Sequence, residues 1–530
     1  MDRRDLVRLA GASAATLWLA RSAWGQARFA SNPFVLGVAS GSPAHDSVVL
    51  WTRLVIAAQG PDMAQLPDQT VRWELAHDEQ FKHILRRGQV IAPRQLAYCV
   101  HAEVDGLAPD RWYFFRFMVA NAVSAVGRTR TLPLPDAAVT RLRLAYASCQ
   151  KWEDGYFSAW RHLRDEQVDM VLFLGDYIYE YPGTSSRVRV PPGGWVTSLQ
   201  DYRQRYALYR SDPDLQTMHQ QCPWLLVWDD HEVQNDYAGT QAGDSGPRDP
   251  AAAAEFVQRR AWAYQAFYEN MPLRASVLAR AIGATGVAGM RIYQRLQFGR
   301  LASLHLLDDR QYRDPQVCTR DGRLGGGAVN PAQCPQWHDE RRSLLGLAQE
   351  RWLDQSLARP ETAQTSWNIV GQQTAFGKRD FKPGPGESLP NDGWDGYSAA
   401  RRRLTDSLQR HQVPNPVLLG GDVHANWVGQ VKADYADPTS KSVGVEFCGT
   451  SISSNGPSGG AEQTRQRLAE NPHFVFAEGQ KRGYGVADFS ASQLTTTLRV
   501  VDDVTRRDSG VSTLAAFAVA RGQTVVERTQ

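Results

Sequence analysis

The sequence predicts a layered α/β domain that follows an all-β N-terminal domain, and three observations support this. From residue 34 to about residue 134, short segments alternate apolar and polar residues between turn signals, as strands of a β-sandwich do. From residue 140 onward, apolar strand-like runs are followed by helical patterns, which implies layers of sheet and helix. The chain has 530 residues, which is too long for one hydrophobic core.

Composition and charge exclude several classes of protein. Hydrophobic residues make up 42% of the chain and charged residues 22%, as in an ordinary globular protein. The formal net charge is only +3, and removal of the N-terminal segment lowers it further. So small a charge argues against broad electrostatic binding of nucleic acid or of a membrane surface.

The first residues resemble an export signal. Arg3 and Arg4 form a twin-arginine pattern, an Ala-rich apolar stretch follows over residues 9–20, and residues 23–25 supply a small-x-small cleavage site. We therefore predict a signal peptide over residues 1–27, read by the twin-arginine export machinery, and a periplasmic or secreted protein. The alternative is an amphipathic helix that stays on the protein. The apolar stretch is too short for a membrane span, and no later segment supplies one.

The N-terminal domain is predicted over residues 33–135, as an immunoglobulin or fibronectin-like sandwich. Its strands are predicted at residues 47–53, 71–75, 98–104 and 111–117. A turn signal at residues 105–109 separates the last two, and residues 132–136 are predicted to be a linker.

The second domain is predicted over residues 140–510. Its strands are expected at residues 141–147, 171–174, 223–228, 301–307, 365–370 and 416–419. Helices are expected at residues 156–166, 251–270 and 338–358. Serial units of this kind place the carboxyl ends of the strands along one edge of a sheet, where ligands bind in α/β folds.

One stretch, residues 171–181, carries an acid and a phenol at such a strand end. Gly175 allows a tight turn after the apolar run and leaves Asp176 at the edge of the sheet. If a helical turn begins there, Asp176 and Tyr179 project to the same side. A carboxylate beside a phenol suggests a hard, oxygen-loving metal ion. The alternative is that Asp176 caps a helix and the tyrosines pack.

Three further strand ends carry possible metal ligands. These are Cys149 after one strand, Asp230 with His231 and Asn235 after another, and Asp422 with His424 after a third. Carboxylates gathered at one edge take up protons unless a cation lies among them. We therefore predict a metal cluster. Singly, each residue has another interpretation: a helix cap for Asp230, a buried structural histidine for His231 and His424, and core packing for Cys149.

The six cysteines of the chain are too few for a disulfide scaffold in an exported protein of this size. Cys318 and Cys334 flank a Gly-rich loop and are the best candidates for one bridge. Cys99, Cys222 and Cys448 lie in apolar contexts and are predicted to be core residues.

The strand-end motifs together resemble a known family. SCQ at 148–150, GDYIYEY at 175–181, WDDHEVQND at 228–236 and GGDVHANW at 420–427 are similar to the motif series of the PhoD-like alkaline phosphatases, in the calcineurin-like metallophosphoesterase superfamily. The N-terminal segments FVLGVASGSP and SVVLWTRL resemble the start of that family's N-terminal domain. The resemblance covers nearly the whole mature chain.

The resemblance implies a four-layer α/β/β/α metallophosphatase sandwich that holds Fe3+ together with Ca2+. Carried over by position, Cys149, Asp176, Tyr179 and His424 match the iron ligands, and Asp176 would bridge to calcium. Asn235 and Asp422 match calcium ligands. Asp230 is the expected further ligand, with Asp229 as the alternative. Thiolate and phenolate suit ferric ion, and amide and carboxylate oxygens suit calcium.

The implied activity is that of an exported phosphoesterase of the alkaline phosphatase D type, in which a metal-activated water or oxo group attacks phosphorus. The partners would be small-molecule phosphoesters, and we expect a monomer. His231 and Asp230 are the candidate catalytic residues; His231 would contact the leaving group or the phosphoryl oxygens, or else orient other groups.

Several alternatives stay open at this point. One is a phosphodiesterase or phospholipase D-like enzyme of the same fold, since the pocket walls decide whether a second ester group fits. Another is a non-catalytic binding protein, which would have lost ligands. A dinuclear purple acid phosphatase is disfavoured because Cys149 replaces the aspartate that is expected at the first motif of that superfamily. Arg310 is expected to form a structural ion pair rather than to clamp phosphate. Residues 394–397 either wall the pocket or pack.

Overall fold

The fold is taken from a computed structural model. It describes residues 29–56, 67–184, 188–243, 250–279, 290–319, 323–437 and 439–530. The predicted signal peptide, residues 1–27, lies outside the described residues.

The described chain is built from strands β1 to β24 and helices α1 to α9. The strands are β1 (Val38–Gly41), β2 (Val48–Arg53), β3 (Gln69–Ala76), β4 (Ile84–Ala92), β5 (Cys99–Val104), β6 (Trp112–Val119), β7 (Ala122–Val123), β8 (Gly127–Arg130), β9 (Arg141–Ala147), β10 (Met170–Phe173), β11 (Trp224–Leu226), β12 (Gln294–Phe298), β13 (Ala302–Leu306), β14 (Ala328–Val329), β15 (Trp367–Gly371), β16 (Leu389–Pro390), β17 (Pro416–Gly420), β18 (Asn426–Lys432), β19 (Ser442–Cys448), β20 (Phe474–Glu478), β21 (Gly483–Ser490), β22 (Gln493–Val501), β23 (Val511–Ala520) and β24 (Glu527–Arg528). The helices are α1 (Ser158–Asp165), α2 (Leu199–Arg210), α3 (Pro213–His219), α4 (Pro250–Asn270), α5 (Ser276–Ala279), α6 (Gly346–Leu357), α7 (Pro360–Gln364), α8 (Ser398–Arg410) and α9 (Gly460–Glu470). Short 3-10 helices lie at Arg94–Leu96, Pro331–Gln333, Pro335–His338 and Trp394–Tyr397.

Two large sheets form the interior. One has ten strands in the order β24-β23-β22-β21-β9-β10-β11-β1-β2-β5, and the other has seven in the order β12-β13-β15-β17-β19-β18-β20. In the ten-stranded sheet β9, β10 and β11 are parallel, and in the seven-stranded sheet β13, β15, β17 and β19 are parallel. Parallel neighbours place their carboxyl ends together, as the sequence predicts.

The two sheets pack face to face, with helices on their outer faces. A Cβ added to Gly371 of β15 would lie 2.9 Å from Cδ2 of Leu172 in β10, so the sheets are in contact there. The next residue of β10, Phe173, points the other way and packs on Trp160 of α1, with ring centroids 6.0 Å apart. In β15, Val370 packs in a separate buried cluster with residues of α6 and α8. Alternate residues of each strand therefore face the other sheet and a helix layer, which confirms the predicted α/β/β/α sandwich.

The N-terminal sandwich shares one of its sheets with the rest of the molecule. Strands β1, β2 and β5 end the ten-stranded sheet, because Gly41 of β1 pairs in parallel with Trp224 of β11. A smaller sheet of β3, β4, β6, β7 and β8 covers them, and buried residues of both sheets, such as Leu50 and Phe115, form one core. The main sheet also continues past residue 510 into β23 and β24. The boundaries at 33–135 and 140–510 stay a prediction.

Several local predictions are settled by the structure. Cys318 and Cys334 form a disulfide, as predicted, and Cys99, Cys222 and Cys448 are buried and free. The helix predicted over residues 338–358 begins only at Gly346, whose φ of 72° is left-handed and cannot continue a helix from the preceding residues. Among the described helices, none is both long enough and apolar enough to cross a membrane.

Candidate metal centre

The carboxyl ends of parallel strands from both sheets meet at one place. From the ten-stranded sheet, β9 leads to Cys149, β10 to Asp176, and β11 to Asp229 and Asp230. From the facing sheet, β17 leads to Asp422 and His424. The face-to-face packing therefore gathers at one edge the residues that the sequence places at separate strand ends.

Four of these residues adopt a left-handed backbone. The φ angles of Cys149, Asp176, Asp422 and His424 are 60°, 58°, 65° and 54°. Non-glycine residues rarely adopt such angles, and they cluster where the surrounding structure requires them, as at active sites. The helical turn considered at Asp176 does not form, because its φ is left-handed. Asp176 and Tyr179 nevertheless meet, since the Tyr179 hydroxyl donates to Asp176 Oδ2 at 2.9 Å.

Gly175 and Glu232 hold the β10 and β11 ends together. A Cβ on Gly175 would lie 2.4 Å from Cβ of Asp229, so only glycine allows this approach. The Glu232 carboxylate accepts hydrogen bonds from the backbone amides of Asp176, Tyr177 and Asp229, at 3.1, 2.6 and 2.8 Å. Glu232 thereby fixes the position of the loop that carries Asp176 and of the loop that carries Asp229.

A first group of donors joins a thiol, a carboxylate, an imidazole and a phenol. Ligand atoms of Cys149, Asp176 and His424 lie within 4.8 Å of one another. The Tyr179 hydroxyl lies 3.2 Å from His424 Nε2 and accepts a hydrogen bond from Ser454 Oγ at 2.7 Å. These are the four residues predicted as iron ligands, and the structure brings all of them together.

His424 is prepared to act as a ligand through Nε2. Its Nδ1 lies 2.7 Å from the carbonyl oxygen of Asn455 and must donate to it, which leaves Nε2 without a proton in the neutral ring. Burial, helped by the charge of Arg482, lowers the pKa of His424 to about 3, so the ring is neutral. A neutral imidazole with one nitrogen bound to a carbonyl is the usual form of a metal-ligating histidine.

A second group of donors is made of carboxylates. Ligand atoms of Asp229, Asp230 and Asp422 lie within 4.8 Å of one another, and Asp176 with Asp230 and His231 forms a group of the same size. Asp230 Oδ1 and Oδ2 accept backbone hydrogen bonds from His231 and Asp236, at 2.9 and 2.7 Å. Within the described chain, the buried Oδ2 of Asp229 has no hydrogen-bond partner. Asp229, the alternative to Asp230, therefore keeps a free oxygen for a cation.

Arg310 lies deep among these acids. Its side chain is 2% exposed and forms ion pairs with Asp229, Asp230, Asp392 and Asp422. A guanidinium held by carboxylates on this many sides agrees with a structural ion pair and not with a phosphate clamp. Trp394 is likewise packed, against Phe376 with ring centroids 4.9 Å apart, and donates to Gln372.

The electrostatics of the site fit bound cations. Burial raises the pKa of Asp176 well above its usual value, and the nearby acids add to the rise against the charge of His231. Burial likewise raises the pKa of the Cys149 thiol, and Asp176 raises it further. These groups ionise only if positive charge is supplied among them. The donor types and the free Asp229 oxygen therefore fit a hard metal cluster.

His231 is oriented by a glutamate. Its Nδ1 lies 2.7 Å from Glu180 Oε2, and Glu180 Oε1 accepts the backbone N–H of Asn235 at 2.8 Å. The His231 ring lies 4.1 Å from the ring of Tyr179, so it borders the first donor group. Asn235 is anchored here by its backbone, and its role as a calcium ligand stays a prediction.

Some residues of the site were not assigned from the sequence. Glu180 and Glu232 lie inside the quoted motifs, and the sequence feature that points to them is an acidic residue close to predicted ligands. Ser454 and Asn455 come from a loop after β19 that carries no distinctive pattern, yet they contact Tyr179 and His424.

Comparison with known proteins shows the family of the chain. The profile of the PhoD-like phosphatase family matches residues 144–498, and the profile of that family's N-terminal domain matches residues 19–133. The chain belongs to the PhoD-like phosphatase family. Membership of the PhoD-like family identifies it as a phosphoester hydrolase.

Individual relatives of this PhoD-like chain support the assignment. Alkaline phosphatase D of Bacillus subtilis (strain 168) is 41% identical over 506 residues, which cover 94% of this chain and 82% of that protein. A solved structure of PhoD matches with a TM-score of 0.86 and 40% identity, covering 95% of this chain and 93% of the other. The purple acid phosphatase PPD1 from yellow lupin (Lupinus luteus) seeds shares the fold, with a TM-score of 0.51 and 12% identity over 91% of this chain and 74% of that one.

Proposed function

We propose that this PhoD-like chain is an exported, metal-dependent phosphoesterase of the alkaline phosphatase D type. The observation that carries the proposal is the convergence of Cys149, Asp176, Tyr179 and His424 with a second, carboxylate-rich group at one edge of the two sheets. Every residue predicted as an iron ligand reaches this place, which disfavours a binding protein that has lost its ligands.

Fe3+ would be held by the thiolate of Cys149, the phenolate of Tyr179, Nε2 of His424 and the carboxylate of Asp176. Anionic sulfur and oxygen donors suit the ferric ion. Ser454 supports this arrangement, since its hydroxyl donates to the Tyr179 oxygen and so stabilises the phenolate form.

Ca2+ would be held by Asp422, Asn235 and Asp230, with Asp176 shared between the two metals. Asp229 adds a free buried oxygen to this group. Carboxylate and amide oxygens are the ligands that calcium takes in proteins. When bound, the metal ions would hold the phosphoryl oxygens, offset the negative charge of the transition state and lower the pKa of an attacking water.

His231 would act on the leaving group or on a phosphoryl oxygen. Its hydrogen bond to Glu180 fixes the ring and places the second nitrogen, Nε2, away from Glu180. Burial opposes protonation of the ring, but the Glu180 carboxylate, 2.7 Å from Nδ1, raises the pKa of His231 and favours the protonated form. A protonated His231 would donate a hydrogen bond to the substrate, and Asp230 would help to hold its charge.

Export rests on the twin-arginine pattern at Arg3 and Arg4. This route carries folded proteins, which suits a site that binds metals while the chain folds. Fusion of residues 1–27 to a reporter tests it directly. Export that is lost when both arginines become lysines supports the proposal, and retention of the reporter in the cytoplasm overturns it.

The activity is tested on the purified protein with a matched monoester and diester, 4-nitrophenyl phosphate and bis(4-nitrophenyl) phosphate. Hydrolysis that is lost on metal removal and restored by Fe3+ with Ca2+ supports the proposal. A much higher kcat/KM for the diester would favour the phosphodiesterase alternative, and hydrolysis of neither ester after reconstitution would overturn both.

A further inference from the structure

A row of four rings leads from the protein surface to the candidate metal centre. Trp195 lies 5.2 Å from Tyr181, Tyr181 lies 5.3 Å from His231, and His231 lies 4.1 Å from Tyr179, measured between ring centroids. We call these four residues the aromatic row. Its inner end, Tyr179, is buried, while its outer end, Trp195, is 50% exposed.

Trp195 is half-exposed, and only the ring of Tyr181 separates it from His231. Large aromatic side chains contribute most when they bury their surface, and they are enriched in surfaces that bind other molecules. Trp195 packs on Tyr181 edge to face, at an interplanar angle of 71°, so much of its ring surface stays open to solvent. The metal centre does not use this surface.

The aromatic row is held rigidly. Arg205, 3% exposed, donates to the backbone carbonyls of Tyr179 and Tyr181 and, at 3.5 Å, to that of Gly194. The backbone N–H of Val196 also donates to the carbonyl of Glu180 at 3.0 Å. These contacts join the segment that carries Trp195 to the segment that carries the two tyrosines. A surface fixed in this way loses little conformational entropy when it binds a ligand.

A lysine lies beside the inner part of the aromatic row. The ammonium nitrogen of Lys151 is 5.3 Å from the ring centroid of Tyr179 and 5.0 Å from that of Tyr181. The side chain has no carboxylate within ion-pairing distance among the described residues. A cation next to a run of rings suits a ligand that joins a phosphoryl anion to a planar aromatic group.

We propose that the aromatic row binds the leaving group of the substrate and selects phosphoesters whose leaving group carries a planar aromatic ring. This inference rests on the proposed phosphoesterase function and adds the substrate class. The phosphoryl group lies at the metal centre near Lys151, and the ring of the leaving group lies against Tyr181 and Trp195. Leaving groups without a flat face gain less from these contacts.

The test compares benzyl phosphate with cyclohexylmethyl phosphate. Their alcohols have the same number of carbons and similar acidity, so the two esters differ mainly in the planarity of the ring. Trp195→Ala should lower kcat/KM for the benzyl ester roughly three- to tenfold and change that for the cyclohexylmethyl ester little. Trp195→Phe should keep most of the preference. Val190→Ala is the matched control, because Val190 is an exposed apolar residue of the same segment, 55% exposed.

The outcomes separate the inference from the proposed function. Hydrolysis of neither ester by the wild-type protein overturns both. If the Trp195→Ala protein hydrolyses both esters and its ratio of kcat/KM for the benzyl ester to kcat/KM for the cyclohexylmethyl ester equals that of the wild type, the inference alone is overturned. An equal loss on both esters also overturns it, since Trp195 would then support the fold and not recognise a ring. The iron content of each variant is measured to test whether the metal centre is intact.

Discussion

The hydroxyl of Tyr179 donates to Oδ2 of Asp176 at 2.9 Å and lies 3.2 Å from Nε2 of His424. A phenol, a carboxylate and an imidazole from strand ends of both sheets therefore meet at one point. Asp176 reaches it through a left-handed backbone that only a constrained site maintains. This meeting point is the proposed position of the ferric ion.

Tyr179→Phe should abolish any phenolate-to-iron absorption band in the visible spectrum, because the variant lacks the oxygen that is proposed to bind iron. Tyr177→Phe is the control: Tyr177 is equally buried two residues earlier, but its hydroxyl lies 2.9 Å from Nε2 of His219 and not at the site. The measurement is an absorption spectrum of each purified protein at equal iron content. A band that survives in Tyr179→Phe would show that the ligand is assigned wrongly.

Cys149→Ser should lower the iron content and the esterase activity together, because a serine hydroxyl ionises far less readily than a thiol and a neutral alcohol is a far poorer ligand than a thiolate. Cys448→Ser provides the comparison, because Cys448 is also buried and free, and its nearest polar partner is the carbonyl of Gly421 at 3.3 Å. Iron is counted by mass spectrometry after dialysis. Equal iron content in the two variants would exclude Cys149 as a ligand.

Glu180→Gln should lower kcat roughly 10- to 100-fold while the metals stay bound. The glutamine keeps the shape of the side chain but removes its negative charge. In the wild type, Oε2 of Glu180 lies 2.7 Å from Nδ1 of His231, where it orients the ring and favours its protonated form. Glu446→Gln is the matched control, since Glu446 is also buried but accepts backbone hydrogen bonds from Phe376 and Gly377. If Glu180→Gln retains full kcat, His231 does not depend on Glu180.

His101 should make the fold sensitive to acid. Its Nε2 lies 3.0 Å from the carbonyls of both Tyr268 and Met271, and burial lowers the pKa of the folded ring from 6.5 to about 4. The unfolded chain therefore binds a proton first, so stability is complete above pH 6.5 and is lost as the pH falls toward 4.

His101→Gln tests this dependence, because the amide can still donate to a carbonyl but cannot be protonated. Between pH 7.5 and pH 5 the wild type should lose about 2 kcal/mol more unfolding free energy than the variant. Urea unfolding at the two pH values gives the comparison. A difference between the two proteins that does not change with pH would contradict the assignment.

Much of the site was predictable because ligand types follow directly after apolar runs. Cys149, Asp176 and Asp422 each stand within two or three residues of a strand end, and parallel strands bring such ends together. The α/β/β/α layers follow from the same runs once the family is recognised.

Other features depend on long-range contacts that no local pattern encodes. The left-handed Asp176 is set by the approach of Gly175 to Asp229 and by the hydrogen bonds of Glu232, which lies more than fifty residues further along the chain. The pairing of Gly41 with Trp224 makes the N-terminal sandwich share the main sheet, and a strand pattern does not reveal its neighbour. Asn455, whose carbonyl oxygen accepts a hydrogen bond from Nδ1 of His424, lies 31 residues away from His424 in the sequence.

The decisive measurement is the metal content of the purified protein, determined together with its esterase activity. We expect iron and calcium to copurify with the protein, their removal by chelation to abolish hydrolysis of 4-nitrophenyl phosphate, and both ions to be needed to restore it. Full activity in a protein that contains neither iron nor calcium, or restoration by zinc alone, would exclude the proposed iron and calcium centre.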